Sequence, residues 1–203
     1  MADRILMNKN TLAALKVELG EYRDALPVFE MKEQQLKGIV QRIEDGIEAL
    51  QEEIIATNEQ IKSWVAVMAE ADVDLDDAIQ VDQVITEQKE IAGVTVESYV
   101  GIEFVRAELN YLTTPLWVDA AVKAIADQKT NYTILAIEQK KLGLLQEELA
   151  EARRMKNALK EVFIPETQET IRKIEIYLGD VERLAIGCAK LVKKKKTEKM
   201  ATA

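Results

Sequence analysis

Residues Leu12–Met68 read LAALKVELGEYRDALPVFEMKEQQLKGIVQRIEDGIEALQEEIIATNEQIKSWVAVM. Taken in alternating steps of three and four they give Leu12, Leu15, Leu19, Tyr22, Leu26, Phe29, Glu33, Leu36, Val40, Ile43, Ile47, Leu50, Ile54, Thr57, Ile61, Trp64 and Met68. Only Glu33 and Thr57 interrupt the apolar stripe. A repeat of about 3.5 residues is shorter than the helix's own turn of about 3.6, so the stripe stays on one face only if the helix supercoils left-handed around a partner. At a rise of about 1.5 Å per residue the stretch would cover on the order of 85 Å, which makes the expected molecule a rod.

The second half of the chain follows the same rule. Leu142, Leu145, Leu149, Ala152 and Leu159 form one run, and Ile164, Thr167, Ile171, Ile174, Leu178, Val181, Ala185, Cys188 and Val192 form another. The register slips between Leu159 and Ile164, and Pro165 stands at the slip. Pro27 interrupts the first helix in a similar way. Each proline lacks a backbone donor and should bend its helix, and both fall beside the stripe on the outward side. Two long apolar stripes on one chain are best buried against each other, antiparallel, with knobs in holes. Pairing between two copies of the chain is the competing arrangement.

Between the helices the composition changes. Ile91-Ala92-Gly93-Val94-Thr95-Val96 and Ile102-Glu103-Phe104-Val105-Arg106 are rich in β-branched and aromatic residues, around Ser98 and Gly101. They predict a short β-hairpin or cap over about 91–112. Thr114 then offers an N-cap, with Pro115 at the first helical position, where a missing N–H costs nothing. The expected fold class is therefore all-α. It is a long antiparallel two-stranded coiled coil of N- and C-terminal helices with a short central β-hairpin or cap. A single elongated domain over 1–203 would hold a helical arm at about 10–90 and a second at about 114–195. The seam residues it rests on are Leu12, Leu15, Leu19, Leu36, Ile43, Ile47, Leu50, Ile54, Ile61, Leu145, Leu149, Leu159, Ile164, Pro165, Ile171, Ile174, Leu178 and Val181.

Composition agrees with helical seams and narrows the chemistry. Only 5% of the 203 residues are aromatic against 48% hydrophobic, which suits a seam better than a thick globular core. With 8 Gly and 3 Pro there are few places to turn. The formal charge of -9 argues against a general affinity for nucleic acid or anionic lipid. There is no histidine, so the commonest metal ligand and general base is missing, and no catalytic residue, cofactor or metal site is expected. The single Cys188 cannot form an intrachain disulfide and, lying on the stripe, reads as a packed thiol. A cytoplasmic setting follows as the expectation, because Met1–Asn8 has no apolar signal core and no stretch approaches about 20 apolar residues.

Several motifs carry a sharper reading that their surroundings weaken. Asp72, Asp74, Asp76 and Asp77 alternate like the opening of a calcium loop, but the glycine position holds Asp77 and the closing Glu position holds Gln83. A solvated acidic stretch fits better. Lys193–Lys196 lack the interleaved aromatics of a nucleic-acid surface and suit a helix C-terminus or a tail facing an acidic partner. Trp64 and Trp117 read as packing residues, and no glycine-rich phosphate loop is present.

The segment from Leu145 to Pro165, LQEELAEARRMKNALKEVFIP, resembles the signature of the D subunits of V/A-type ATPases, in which Arg, Asn-Ala-Leu, Val and Ile-Pro recur at this spacing. Thr170-Ile171-Arg172-Lys173-Ile174, Leu178 and Glu182-Arg183 continue the pattern. Lys9–Lys16 resembles the family's opening and Ile91–Val96 its central hairpin strand, while Lys32-Glu33 stands where the family usually has a Lys-Arg pair. The resemblance implies a non-catalytic central stalk that transmits torque in a rotary ATPase or ATP synthase. Its paired terminal helices would enter the hexamer of alternating catalytic A and regulatory B subunits. Its other end would meet the stalk's F subunit and a funnel-shaped adaptor on the proteolipid ring. The complex would couple ATP synthesis or hydrolysis to proton or sodium transport, with this chain peripheral on the cytoplasmic face of the membrane. A prefoldin-like chaperone arm or structural adaptor is the alternative, since prefoldins also join coiled-coil helices through β-hairpins.

Overall fold

The computed structural model describes residues 6–68, 79–106 and 117–201. Helix α1 (Lys9–Met68) is followed by strands β1 (Ile79–Ile91) and β2 (Val94–Arg106). Helix α2 (Val118–Ala158) runs through a π turn (Leu159–Phe163) into helix α3 (Ile164–Ala201). The chain is mostly helical, with one antiparallel two-stranded sheet. It forms two compact units, one of residues 1–31 with 152–203 and one of residues 32–151.

In the first unit the start of α1 packs against α3 head to tail. Lys9 reaches Glu182 at 3.5 Å and Lys16 reaches Glu175 at 2.6 Å. Tyr22 stacks on Phe163 with ring centroids 5.6 Å apart. Partners that fall along one helix as they rise along the other define an antiparallel pair, formed within one chain. Asn8 starts α1, its Oδ1 accepting the Thr11 N–H at 2.7 Å and so satisfying a donor that the first turn leaves open.

The register slip expected at Pro165 takes the form of the π turn. The Ile164 N–H donates to the Leu159 carbonyl, five residues back, so one extra residue is wound into the helix. Pro165 follows directly as the second residue of α3, where it offers no N–H to the turn before it. An added residue rotates everything beyond it by about 100°, which is what the buried stripe needs. Ala152 and Leu159 are buried before the turn, and Thr167, Ile171 and Ile174 after it. Val162 and Phe163, where an unbroken count of three or four from Leu159 would land, are exposed.

In the second unit the rest of α1 packs antiparallel on α2. Lys32 pairs with Glu148, Gln146 donates to Glu44 at 2.9 Å, and Gln128 donates to Asn58 at 2.9 Å. Leu36, Val40, Ile47 and Ile54 of α1 are buried, as are Leu145 and Leu149 of α2. Full burial of one such side chain contributes about 1.5–3 kcal/mol.

The hairpin begins earlier and turns elsewhere than the sequence reading placed it. β1 starts at Ile79 and its last residue pairs with the first of β2, Ile91 with Val94, so the turn is Ala92-Gly93 and not the region of Ser98 and Gly101. Both turn residues have positive φ, 53° at Ala92 and 85° at Gly93, the combination a two-residue hairpin needs to match strand twist. Residues 79–91 therefore belong to the sheet and not to the N-terminal helical arm. Their polar content hid them: Gln, Asp, Glu and Lys residues separate the β-branched run Val84-Ile85-Thr86 from Ile79 at one end and Ile91 at the other, and most of the strand is exposed.

Asp82 on β1 and Val100 on β2 each bulge out of the ladder, on opposite strands, so the two irregularities cancel between tip and base. The base packs on the start of α2. Ile79, Val118, Val122 and Ala126 form a buried cluster against which Phe104, Trp117 and Ile125 pack. The Lys129 ammonium donates to the Ile79 carbonyl at 2.7 Å, and Lys140 pairs with Glu97 at 2.8 Å nearer the tip. The acidic stretch Asp72–Asp77, the Thr114-Pro115 start signal and the side chains of Trp64 and Met68 lie outside the described residues.

Candidate functional site

The candidate site is the seam and the surfaces it leaves open. Among the seam residues, Leu36, Ile47, Ile54, Leu145, Leu149, Leu159, Ile171 and Ile174 are buried. Leu12, Leu15, Leu19, Ile43, Leu50, Ile61, Ile164 and Leu178 are half-buried, and Pro165 and Val181 are exposed. Ile174, at 1% exposure, is the most enclosed residue of the α1–α3 contact. A row of buried apolar side chains of this kind resists sliding, because displacement along the axis would take them out of their packed positions together.

Charge pairs flank the seam and fix its register. Lys9 and Lys16 are separated by seven residues, as are Glu175 and Glu182, and the two sets meet in antiparallel order. That heptad match was present in the sequence as complementary flanking positions, though the apolar stripe alone does not reveal it. Exposed pairs of this type contribute up to about 1 kcal/mol each, so they choose the register more than they hold the fold. Lys141 is different. It is buried, its ammonium 2.5 Å from the Glu138 carboxylate, so the charge is compensated where water is scarce.

Tyr22 sits beside the seam with its hydroxyl donating to Glu18 Oε1 at 2.6 Å. That hydrogen bond, with help from burial and the nearby negative charges of Glu18 and Glu21, holds the Tyr22 hydroxyl above its ordinary pKa.

Beyond Glu182 the stripe is left open among the described residues of its unit. Every described side chain from Asp180 to Thr197 is exposed, including Leu184, Leu191 and Val192 at 61–68%. Cys188 is exposed here too, not packed as its place on the stripe suggested. The reason is length: α1 starts at Lys9, opposite Glu182, and α3 continues to Ala201.

A second open surface lies in the other unit. A groove of ≈ 700 Å³ is lined by the apolar Ile39, Ile43, Leu50, Ile91 and Ile134 and by the charged Arg42, Glu53, Glu138 and Lys141. Gly46 and Ala49 leave its α1 side low, and a Cβ added at Gly46 would meet nothing within 4 Å. The sequence reading missed this groove, because it depends on where the tip of the hairpin comes to lie.

Among the described residues there is no group of three or more His, Cys, Asp or Glu side chains placed to hold a metal ion. No described helix is long and apolar enough to cross a membrane.

Comparison with known proteins agrees with the fold. The family model for the ATP synthase D subunit matches residues 11–194. The V-type ATP synthase D subunit of Borreliella burgdorferi is 30% identical over 190 residues, covering 94% of each chain. That of Chlamydia trachomatis is 30% identical over 201 residues, covering 96% of this chain and 97% of its own. That of Chlamydia muridarum is 29% identical over 201 residues, with the same coverage of each chain. With its helices, its hairpin and nearly its whole length accounted for by one family model, the chain belongs to the family of ATP synthase D subunits.

Proposed function

We propose that the chain is the non-catalytic central stalk of a V-type rotary ATPase or ATP synthase. It carries torque between a catalytic ring of A and B subunits and the ion-translocating ring in the membrane. The observation that carries this reading is the buried antiparallel seam, together with near-full-length similarity to proteins named as D subunits of V-type ATP synthases. A torque-bearing element must keep its two strands from sliding, and buried Leu159, Ile171 and Ile174 in one unit and Leu36, Leu145 and Leu149 in the other supply that resistance.

The exposed apolar residues at the end of α3 support insertion into a ring. Leu184, Leu191 and Val192 gain from being covered by a sleeve of partner subunits, while Lys193–Lys196 would face acidic or carbonyl-rich surfaces there. An asymmetric rotor within a ring of similar sites shows each a different face and so biases their conformations in turn. The F subunit of the stalk and a funnel-shaped adaptor on the proteolipid ring are the partners assigned to the rest of the chain. The chain is a peripheral part of the complex on the cytoplasmic face of the membrane, and the complex couples nucleotide chemistry to proton or sodium movement.

Two measurements test this. Purification in mild detergent through a tag on this chain should recover A, B and F subunits, and recovery of unfolded client protein with none of these would favour the chaperone arm instead. Replacing Ile174 with Asp places a charge where exposure is 1%, and should separate α3 from α1. Ion pumping driven by ATP should then be abolished while the ring keeps part of its hydrolysis. Full coupling in that variant would sink the stalk reading.

A further inference from the structure

We propose that the level at which Pro27 of α1 meets the π turn is a joint in the α1–α3 pair, where bending and twist concentrate. Two helix irregularities coincide there. Pro27 offers no N–H to the carbonyl of Arg23, and Pro165 offers none to that of Glu161. The π turn between Leu159 and Phe163 adds a widened loop of backbone to the second strand. The stack of Tyr22 on Phe163, 5.6 Å between centroids and 27° between planes, sets the two levels against each other across the antiparallel pair.

One irregular turn beside a regular helix is splinted by its neighbour. Two at the same level are not, so the backbone there is the most compliant part of this unit. The side chains are arranged to permit movement without letting the strands slide. Leu159 stays buried on the seam, Ile171 and Ile174 lock the strand beyond it, and Pro27 and Pro165 both face solvent. Tyr22 and Phe163 can tilt against each other over a range of angles, since stacked rings tolerate offset. The device is a property of the chain alone and does not depend on the torque-bearing role.

Amide hydrogen exchange on the intact chain, read by mass spectrometry, tests it. Peptides covering residues 22–29 and 158–166 should exchange at least about tenfold faster than those covering 12–19 and 167–175 on either side of the same pair. Pro27→Ala combined with Pro165→Ala restores both donors and should reduce that ratio to about threefold or less. Equal protection of joint and flanks in the unaltered chain would overturn the proposal, and so would a ratio that the double variant leaves unchanged.

Discussion

Ala92 is the residue whose backbone asks for a different side chain. With φ at 53° it occupies the left-handed region, which costs an L-residue about 1 kcal/mol and which Asn tolerates better. Ala92→Asn should raise the hairpin's stability by about 0.5–1 kcal/mol, and Gly93→Ala, at φ 85°, should lower it by about 1 kcal/mol; thermal unfolding followed by circular dichroism checks both. Tyr22 gives a pH signature. Its folded pKa lies above the ordinary value of 10.0 because the neutral hydroxyl donates to Glu18. The folded chain therefore holds this proton more tightly than the unfolded one. That stabilisation is complete below pH 10 and is lost as pH rises through the raised folded value. Tyr22→Phe keeps the ring against Phe163 and should remove this part of the alkaline loss, read from denaturant midpoints between neutral and strongly alkaline pH. Neither feature was readable in advance. Ala-Gly is a weak turn signal beside Asn-Gly, and the Glu18–Tyr22 spacing says only that the two can meet on one helix face.

At the scale of the element, the hairpin owes its order to α2. A two-stranded sheet is marginal alone in water, and the cluster of Ile79, Val118, Val122 and Ala126 gives this one a surface to lie on. Val118→Ala should cost about 1–3 kcal/mol and release the hairpin's base, seen as faster amide exchange in β1 and β2 while the α1–α3 pair is unaffected. Helix α1 offers the opposite experiment. Gly46 is exposed in a helix interior with open space where a Cβ would go, so Gly46→Ala should stabilise by about 0.5–1 kcal/mol in urea unfolding. Element type was largely legible: the stripe from Leu12 specified a helix, and the one-residue slip before Pro165 marked the place of the π turn. The start of β1 was not, because its polar, partly alternating residues carry the same composition as an exposed helix face.

For the whole molecule, stability and assembly should separate along α3. Residues from Asp180 to Thr197 are exposed, so a chain ending after Glu182 should unfold within about 1 kcal/mol of the full-length protein yet fail to recover the A and B subunits proposed above as partners, measured by denaturation and by native co-purification. Loss of folding in that truncation would mean the terminal turns pack on something within the chain. The pattern of apolar residues at intervals of three and four already dictated long helices that must bury a stripe against a partner, since periodicity is a local property that survives in the order of residues. What had to await the folded chain was where the stripe ends. Cys188 and Val192 continue the spacing as faithfully as Ile174, and with Lys9, the first residue of α1, opposite Glu182 they are exposed. The same holds for the groove beside Gly46, whose lining joins residues from α1, α2 and the hairpin tip. Spacing tells which side chains share a face, but burial depends on a partner at the right height, and that height is set by contacts between residues far apart in the chain.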